Sequence, residues 1–231
     1  MSETYYSAEK HGYMLYSNDL LADYIYSLLP LTHVENFDQA VELGAGMGRF
    51  SAPVISNFKA VTLVEPSPDY AALLRDKFVG SSIKIEASTA SSYMQTNKNS
   101  SPQAVFAFHL MHHLNSEERK EIFKFVYDTK SIGIAVEPNP INPLILVQVL
   151  CHPDMRIEAE KEYLKLNRTA YEKELTSVGL KLLEYKRILF MPPFMCNRAI
   201  QFISPSILSK VESLNNYLPF LSSYQVIVYG R

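Results

Sequence analysis

Three glycines alternate with other residues in the segment VELGAGMGRFS, which runs from Val41 to Ser51. The apolar residues before Gly44 predict a buried strand, and those after Gly48 predict a helix, so the glycines occupy a strand-to-helix turn. Glycine adopts positive φ readily and lets a ligand approach the backbone closely. Ligands of open α/β sheets bind at the carboxyl ends of the strands. The segment therefore predicts a ligand-binding loop.

The spacing of the glycines discriminates between classes of ligand. Dinucleotide-binding loops carry G-x-G-x-x-G, because the pyrophosphate must reach the N-terminus of the helix. In this chain the position of that third glycine is held by Arg49, and the observed pattern is G-x-G-x-G at Gly44, Gly46 and Gly48. The pattern therefore argues against an NAD-dependent oxidoreductase.

An acidic residue ends the next apolar run. VTLVE places Glu65 at the end of a predicted second strand, 17 residues after Gly48. A carboxylate at this position can accept hydrogen bonds from both hydroxyls of a ribose. The alternative is a solvated carboxylate at a strand end, and the glycine loop before it favours the ligand-binding interpretation.

Taken together, these residues resemble the class I S-adenosylmethionine-dependent methyltransferases. The resemblance rests on the E-x-G-x-G-x-G turn at Glu42–Gly48, on Glu65, on AFHLMHHL after the predicted fourth strand, and on two late strands. It covers nearly the whole chain. It implies a cofactor, S-adenosylmethionine, at Gly44, Gly46 and Gly48, with S-adenosylhomocysteine as the product.

The resemblance also implies roles for residues around the loop. Glu65, with Pro66 beside it, would hold the cofactor ribose, and Glu42 would help to hold the methionine end, partly through water. Members of the family often have an acidic residue after the third strand, but this chain has EASTAS there. Ser88 or Thr89 would then contact the adenine, and a polar contact would be lost if the preceding glutamate pointed into the core.

Three histidines follow the predicted fourth strand, at the mouth of the expected cleft. The methyl group of a sulfonium is already activated, so a general base is needed only for an acceptor that begins protonated. His112 is the candidate base, since imidazole suits proton transfer near neutral pH. The resemblance places the backbone carbonyl of His109 near the methionine amino group. His113 either contacts the substrate or packs under the loop. No metal is expected, because two of the histidines are adjacent and no other ligand cluster accompanies them.

An acceptor pocket is predicted from three further segments. Asn139 lies in the loop EPNPINPL after the predicted fifth strand, where it could line the pocket or cap the loop. Aromatic residues near the N-terminus and in an insertion between the late strands suit an apolar or aromatic acceptor, or else form a patch under a loop. Arg198 could bind a carboxylate or phosphate of the acceptor. The other predicted contacts are Tyr5, Tyr6, Tyr13 and Phe194.

The composition and the net charge limit which partners the protein can be expected to bind. The formal net charge is −2 and no basic block is present, which disfavours a nucleic-acid substrate. The two cysteines indicate reduced thiols, and the N-terminus has no apolar segment of signal-peptide type, so a cytoplasmic address is expected. PLILVQVLC is too short to span a bilayer, although peripheral contact with a membrane stays open. Either a monomer or a homodimer is compatible with the sequence.

The order of apolar and amphipathic segments predicts the fold class: α/β, Rossmann-like and doubly wound, with a mainly parallel seven-stranded sheet whose last strand is antiparallel. Residues 1–231 are expected to form a single domain. It would comprise N-terminal lid helices at 1–36, a cofactor-binding core at 37–190, an insertion lining the substrate pocket at 191–221, and the last strand at 222–231. Expected helix caps are Asn18, Ser67 and Ser116, with Gly179 ending a helix.

The predicted function is methyl transfer from S-adenosylmethionine to oxygen or nitrogen of a small, apolar or aromatic metabolite. One alternative keeps the enzyme class and takes a sugar or a lipid-linked intermediate as the acceptor. A second alternative is a module that binds the cofactor or a partner protein without catalysis.

Overall fold

The computed structural model describes residues 19–81, 83–151, 161–190 and 200–231. Strands alternate with helices along most of these ranges, and short connections join them. The strands are β1 (Gln39–Leu43), β2 (Ala60–Val64), β3 (Ile83–Glu86), β4 (Ala104–Phe108), β5 (Ile132–Pro138), β6 (Lys181–Ile188) and β7 (Tyr224–Gly230). The helices are α1 (Asp19–Ser27), α2 (Ser51–Asn57), α3 (Pro68–Lys77), α4 (Ala90–Thr96), α5 (Ser116–Thr129), α6 (Pro143–Cys151), α7 (Arg168–Ser177) and α8 (Pro205–Ser213).

The seven strands form one sheet in the order β3-β2-β1-β4-β5-β7-β6. Strands β1 to β5 pair in parallel, and β7 runs antiparallel to both of its neighbours, β5 and β6. The order reverses between β1 and β4, which creates the switch point where ligands bind in such sheets. The predicted fold class is confirmed, including the antiparallel last strand.

Both faces of the sheet are covered, which explains why the central strands are almost continuously apolar. One face packs against α1, α2, α3 and α8, with Phe106 and Val226 among the buried strand residues. The opposite face packs against α4, α5 and α7, with Val105 and Ile227 buried there. Two apolar layers therefore fix the sheet, and the carboxyl ends of β1, β2, β4 and β5 meet at one edge.

Capping residues determine where two site-flanking helices begin. Ser67 caps α3, as predicted, by accepting a hydrogen bond from the backbone N–H of Tyr70. For α5 the prediction was wrong by one residue, because Asn115 rather than Ser116 is the cap. Asn115 has an extended backbone and forms a reciprocal capping box with Glu118. Gly179 follows the end of α7 with a φ of +82°, as expected of a residue that ends a helix.

A buried ion pair fixes the segment that leaves β4. Arg119 on α5 binds Glu174 on α7 through two hydrogen bonds, of 2.9 and 2.6 Å. The Nη1 atom of Arg119 also donates to the carbonyl of Leu114 at 2.6 Å. The bidentate geometry matches a planar guanidinium to a carboxylate. This pair therefore anchors the end of the His109–Leu114 turn against two helices.

Candidate active site

The glycine loop between β1 and α2 has positive φ at all three glycines, but each glycine is required for a different reason. A Cβ atom on Gly44 would lie 2.8 Å from a methyl carbon of Leu110, and one on Gly48 would lie 2.7 Å from the ring of Phe78. A Cβ atom on Gly46 would meet no atom within 4 Å. The tight packing explains Gly44 and Gly48, whereas the open space lies beside Gly46.

Glu65 closes this loop from the end of β2. Its Oε2 accepts from the backbone N–H of Gly46 at 2.8 Å, and its Oε1 accepts from that of Ser67 at 2.8 Å. The carboxylate is buried, which raises its pKa, while the two N–H donors oppose that shift. A carboxylate has about four acceptor positions, so two remain for further donors. The next residue, Pro66, is exposed at the rim.

Glu42 lies beneath the loop on β1. It is buried, and no described residue forms a hydrogen bond with its Oε2. Burial raises its pKa to about 8, with a smaller contribution from Glu65, while Ser51 and Lys77 lower it. A buried carboxyl oxygen without a hydrogen-bond partner is costly, so a donor from a ligand to Oε2 would be a favourable addition.

Part of the segment after β3 caps the next helix, α4. Thr89 caps α4, since its hydroxyl accepts from the N–H of Ser92 at 3.2 Å. Ser88 is half-buried, and its backbone N–H donates to the carbonyl of Glu86. The Glu86 side chain pairs with Lys84 at 2.5 Å and so does not enter the core. An adenine contact by Ser88 or Thr89 stays a prediction.

Glu137, at the end of β5, organises the histidine turn that follows β4. Its Oε1 accepts from the N–H groups of Leu110 at 3.0 Å and Met111 at 2.8 Å. Its Oε2 lies 2.5 Å from Nδ1 of His112. Both side chains are buried. Residues 111–113 form a 3-10 turn, and one carboxylate therefore holds the backbone of this turn and the imidazole at its centre.

Two buried tyrosines lie close enough to Glu137 to be affected by its charge. Burial, and then the negative charge of Glu137, raises the pKa of both Tyr171 and Tyr229. Their hydroxyl groups have no hydrogen-bond partner among the described residues. Because both stay protonated at neutral pH, neither can serve as a base there.

The other two predicted histidines lie beside His112. The ring of His113 is half-buried, with its centroid 3.9 Å from that of His112. The ring of His109 lies between Phe50, at 5.6 Å, and Tyr224, at 4.7 Å. The structure therefore brings all three histidines together at the edge where the glycine loop lies. Within the described ranges, no group of three or more His, Cys, Asp or Glu side chains could hold a metal ion.

Asn139 has a structural role in the loop after β5. Its amide donates to the carbonyls of Pro219 at 2.9 Å and Ser222 at 2.8 Å, and the side chain is fully buried. Asn142 binds Leu221 and Ser222 in the same way. Of the two roles expected for Asn139, the structure shows the loop-holding one, and contact with an acceptor stays a prediction. The remaining predicted acceptor contacts, Tyr5, Tyr6, Tyr13, Phe194 and Arg198, lie outside the described residues.

A cavity of about 1120 Å³ opens between α1, β6 and α8, lined by residues including Leu20, Tyr24, Arg187 and Leu208. It belongs to the β6 edge of the sheet, three strands from β4, or about 14 Å at the usual strand spacing. It is therefore separate from the space beside Gly46. None of the described helices has the length and apolar character needed to cross a bilayer.

Comparisons with known proteins agree with this architecture. Residues 40–129 match the family model described as a methyltransferase domain. No curated protein sequence matches the chain. Among solved structures, an S-adenosylmethionine-dependent methyltransferase from Archaeoglobus fulgidus is similar at a TM-score of 0.65, with 14% identity over 92% of this chain and 94% of the other.

Two further structures share the fold at low identity. The mitomycin 7-O-methyltransferase aligns with 92% of this chain and 53% of its own, at a TM-score of 0.57 and 13% identity. A geranyl diphosphate methyltransferase, solved with S-adenosylmethionine, aligns with 91% of this chain and 84% of its own, at a TM-score of 0.52 and 15% identity. Residues 40–129 therefore match a methyltransferase domain, and the described part of the chain shares the fold of solved S-adenosylmethionine-dependent methyltransferases.

Proposed function

We propose that this protein binds S-adenosylmethionine at the loop Gly44–Gly48 and transfers its methyl group to an oxygen, or a nitrogen, of a small apolar or aromatic acceptor. The observation that carries the proposal is the arrangement around Gly46. Open space at this residue is bounded by a buried carboxylate on β2 and lies above a second one, without a partner at Oε2, on β1.

The chemistry of these groups fits the proposed cofactor. The remaining acceptor positions of Glu65 suit the two ribose hydroxyls, since the backbone N–H groups of Gly46 and Ser67 already orient its oxygens. The buried Oε2 of Glu42 suits the ammonium group of the methionine end, which would favour the ionised carboxylate. The bound cofactor supplies a methyl group on a sulfonium, which needs no further activation.

His112 is the proposed general base for a hydroxyl acceptor. Glu137 binds its Nδ1, so the proton taken from an acceptor would go to Nε2. A buried carboxylate at Nδ1 also stabilises the imidazolium that forms as the proton is transferred. This dyad favours oxygen, because a hydroxyl begins protonated and a neutral amine does not need the same help.

Aromatic residues at the same edge support the proposed acceptor class. Phe50 and Phe108 stack at 5.1 Å, and Tyr224 packs edge-on against the imidazole of His109 at 4.7 Å; all three aromatic residues are buried. The similar structures carry names with different acceptors, a mitomycin oxygen and geranyl diphosphate, so the shared fold leaves the acceptor to these side chains.

A two-step experiment tests the proposal. Thermal-shift and calorimetric titrations would compare S-adenosylhomocysteine with NAD, and we expect stabilisation by the first alone. A panel of phenols, carboxylic acids and amines would then be screened with S-adenosylmethionine labelled in the methyl group. Stabilisation by NAD alone would contradict the cofactor assignment, and binding without label transfer to any acceptor would favour a module without catalysis.

A lipid-linked acceptor is a second candidate, supported by the exposed surface of α6. Leu144, Val147 and Leu150 are each at least half exposed, and they lie on a helix of apolar composition that is too short to span a bilayer. Such a surface suits peripheral contact with a membrane. Co-sedimentation with liposomes should decrease on Val147→Asn if this candidate is right, while a protein that never sediments would contradict it.

A further inference from the structure

Residues at both ends of helix α3 form hydrogen bonds with the glycine loop. Glu65 lies two residues before Ser67, the cap of α3, and its Oε2 accepts from the N–H of Gly46 at 2.8 Å. Lys77 lies in the last turn of α3, and its Nζ donates to the carbonyl of Gly48 at 2.7 Å. One helix, together with the strand end before it, therefore holds the loop at two positions.

The ammonium group of Lys77 lies between this carbonyl and an aromatic ring. Lys77 is an exposed residue, yet its Nζ lies 5.2 Å from the centroid of the Phe78 ring. The same ring and Leu74 pack so closely on the loop that a Cβ atom on Gly48 would lie 2.7 and 2.8 Å from them. Among the described residues Lys77 forms no ion pair, so its polar contact is with the loop.

The loop is a segment that needs such support. Its φ values are +56° at Gly46 and +70° at Gly48, and no described atom would touch a Cβ atom on Gly46 within 4 Å. Glycine loses more conformational freedom on ordering than any other residue. A loop that is ordered before the ligand arrives does not have to be ordered at the cost of binding free energy. Groups that fix this backbone should therefore raise ligand affinity without touching the ligand.

The charge of Lys77 also acts on the carboxyl beneath the loop. Burial raises the pKa of Glu42 to about 8, and the nearby carboxylate of Glu65, on β2, raises it slightly further. The hydroxyl of Ser51, on α2, and the charge of Lys77, on α3, lower it. Lys77 is the cation in this set, so its removal should make Glu42 harder to ionise.

We propose that Lys77 is a positioning residue for cofactor binding, which fixes the carbonyl of Gly48 and so preserves the shape of the space beside Gly46. This inference rests on the proposed function, because the consequence of the contact is an effect on cofactor affinity. Lys77 acts through the loop and not through a contact with the ligand.

The test compares three variants, each checked for folding by circular dichroism. Lys77→Met removes the ammonium group and keeps much of the chain length, whereas Lys77→Arg keeps a cation with N–H donors. Arg75→Met, at an exposed position in the same turn of α3, is the matched control. Calorimetry measures the affinities for S-adenosylhomocysteine and for 5′-methylthioadenosine, which lacks the amino-acid end. NMR measures amide exchange at residues 44–48 and the titration of Glu42.

We expect Lys77→Met to weaken both nucleosides by about 3- to 10-fold, which corresponds to the loss of one hydrogen bond. In the same variant, the amides of the loop should exchange faster and the pKa of Glu42 should rise. Lys77→Arg and Arg75→Met should bind both nucleosides within about twofold of the wild type. A surface lysine without a role in the loop would change none of these quantities.

Wild-type affinities in Lys77→Met, or a loss of the same size in Lys77→Arg or in Arg75→Met, would overturn the inference. A wild-type protein that binds neither nucleoside would contradict the proposed function instead. Amide exchange in the free protein would still decide whether Lys77 holds the loop: faster exchange in Lys77→Met alone would support this contact, and wild-type exchange rates would overturn it.

Discussion

The Nδ1 atom of His112 lies 2.5 Å from the Oε2 atom of Glu137, and neither side chain is more than 3% exposed. The two residues come from neighbouring parallel strands, since one follows β4 and the other ends β5. The same carboxylate accepts three backbone N–H groups of the turn that carries the histidine. This pair therefore links the position of the candidate base to the end of the sheet.

Replacing His112 should separate catalysis from cofactor binding. We expect His112→Ala to lower kcat by about 100- to 10,000-fold, the usual contribution of a general base, with a hydroxyl acceptor found by screening. The affinity for S-adenosylhomocysteine, measured by calorimetry, should stay within about twofold. His33→Ala, on the short turn 31–33 before β1 and away from the site, is the matched control and should retain most of the activity. An unchanged rate in His112→Ala would assign this residue a structural role.

Glu137→Gln should reduce stability as well as activity. In the variant, the NH2 group of the amide would face backbone N–H groups that donate to a carboxylate in the wild type. Because two donors would then oppose each other, the free energy of unfolding should fall by about 1–3 kcal/mol. Urea denaturation followed by circular dichroism measures the change. Glu86→Gln removes a carboxylate that pairs with Lys84 near the surface and should cost less than about 0.5 kcal/mol. Equal losses in the two variants would contradict the central position of Glu137.

Glu42 should make the stability of the free protein depend on pH. Burial raises its pKa from 4.5 to about 8, so the folded protein keeps a proton that the unfolded chain releases. Its contribution is complete below pH 4.5 and is lost as the pH rises toward 8, at up to about 1.4 kcal/mol per pH unit. Glu42→Gln should remove this part of the slope in urea denaturation between pH 5 and 8. Identical slopes for variant and wild type would contradict the assignment.

Two glycine substitutions should affect different properties, ligand affinity in one variant and stability in the other. Gly46→Ala places a methyl group in open space, so it should cost about 1 kcal/mol from the positive φ and weaken S-adenosylhomocysteine by more than about tenfold. Gly48→Ala forces its Cβ against Leu74 and Phe78, and should cost a further 1–3 kcal/mol or so of stability. Denaturation and calorimetry on both variants check this. Equal ligand affinities in the two variants would contradict the assignment of the space at Gly46.

Most of the features that the sequence predicts correctly follow from patterns between residues that are close along the chain. The glycine loop and Glu65 could be found because each follows an apolar run directly, and a parallel sheet places the ends of such runs together. The seven strands were predictable because each is a short apolar run along the chain. Ser67 was recognisable as a cap because Pro68 follows it at the first position of the helix.

The remaining features depend on contacts between distant residues. Glu137 binds a residue 25 positions earlier, and this contact exists only because β4 pairs with β5. The stacking of Phe50 on Phe108 and on His109 depends on how the residue before α2 packs against the end of β4. Asn139 was expected to face either an acceptor or its own loop, and only the position of residues 219–222 shows that its amide binds their carbonyls.

The cofactor site depends most directly on the carboxylate of Glu65 beside the N–H of Gly46, and calorimetry with S-adenosylhomocysteine tests this arrangement. We expect the wild type to bind, and Glu65→Ala to bind more weakly by about 1–3 kcal/mol, because two ribose hydrogen bonds are lost. Glu172→Gln, which changes an exposed carboxylate on α7, should bind like the wild type. No heat from the wild type with either S-adenosylmethionine or S-adenosylhomocysteine, or equal affinities for wild type and Glu65→Ala, would contradict the cofactor site.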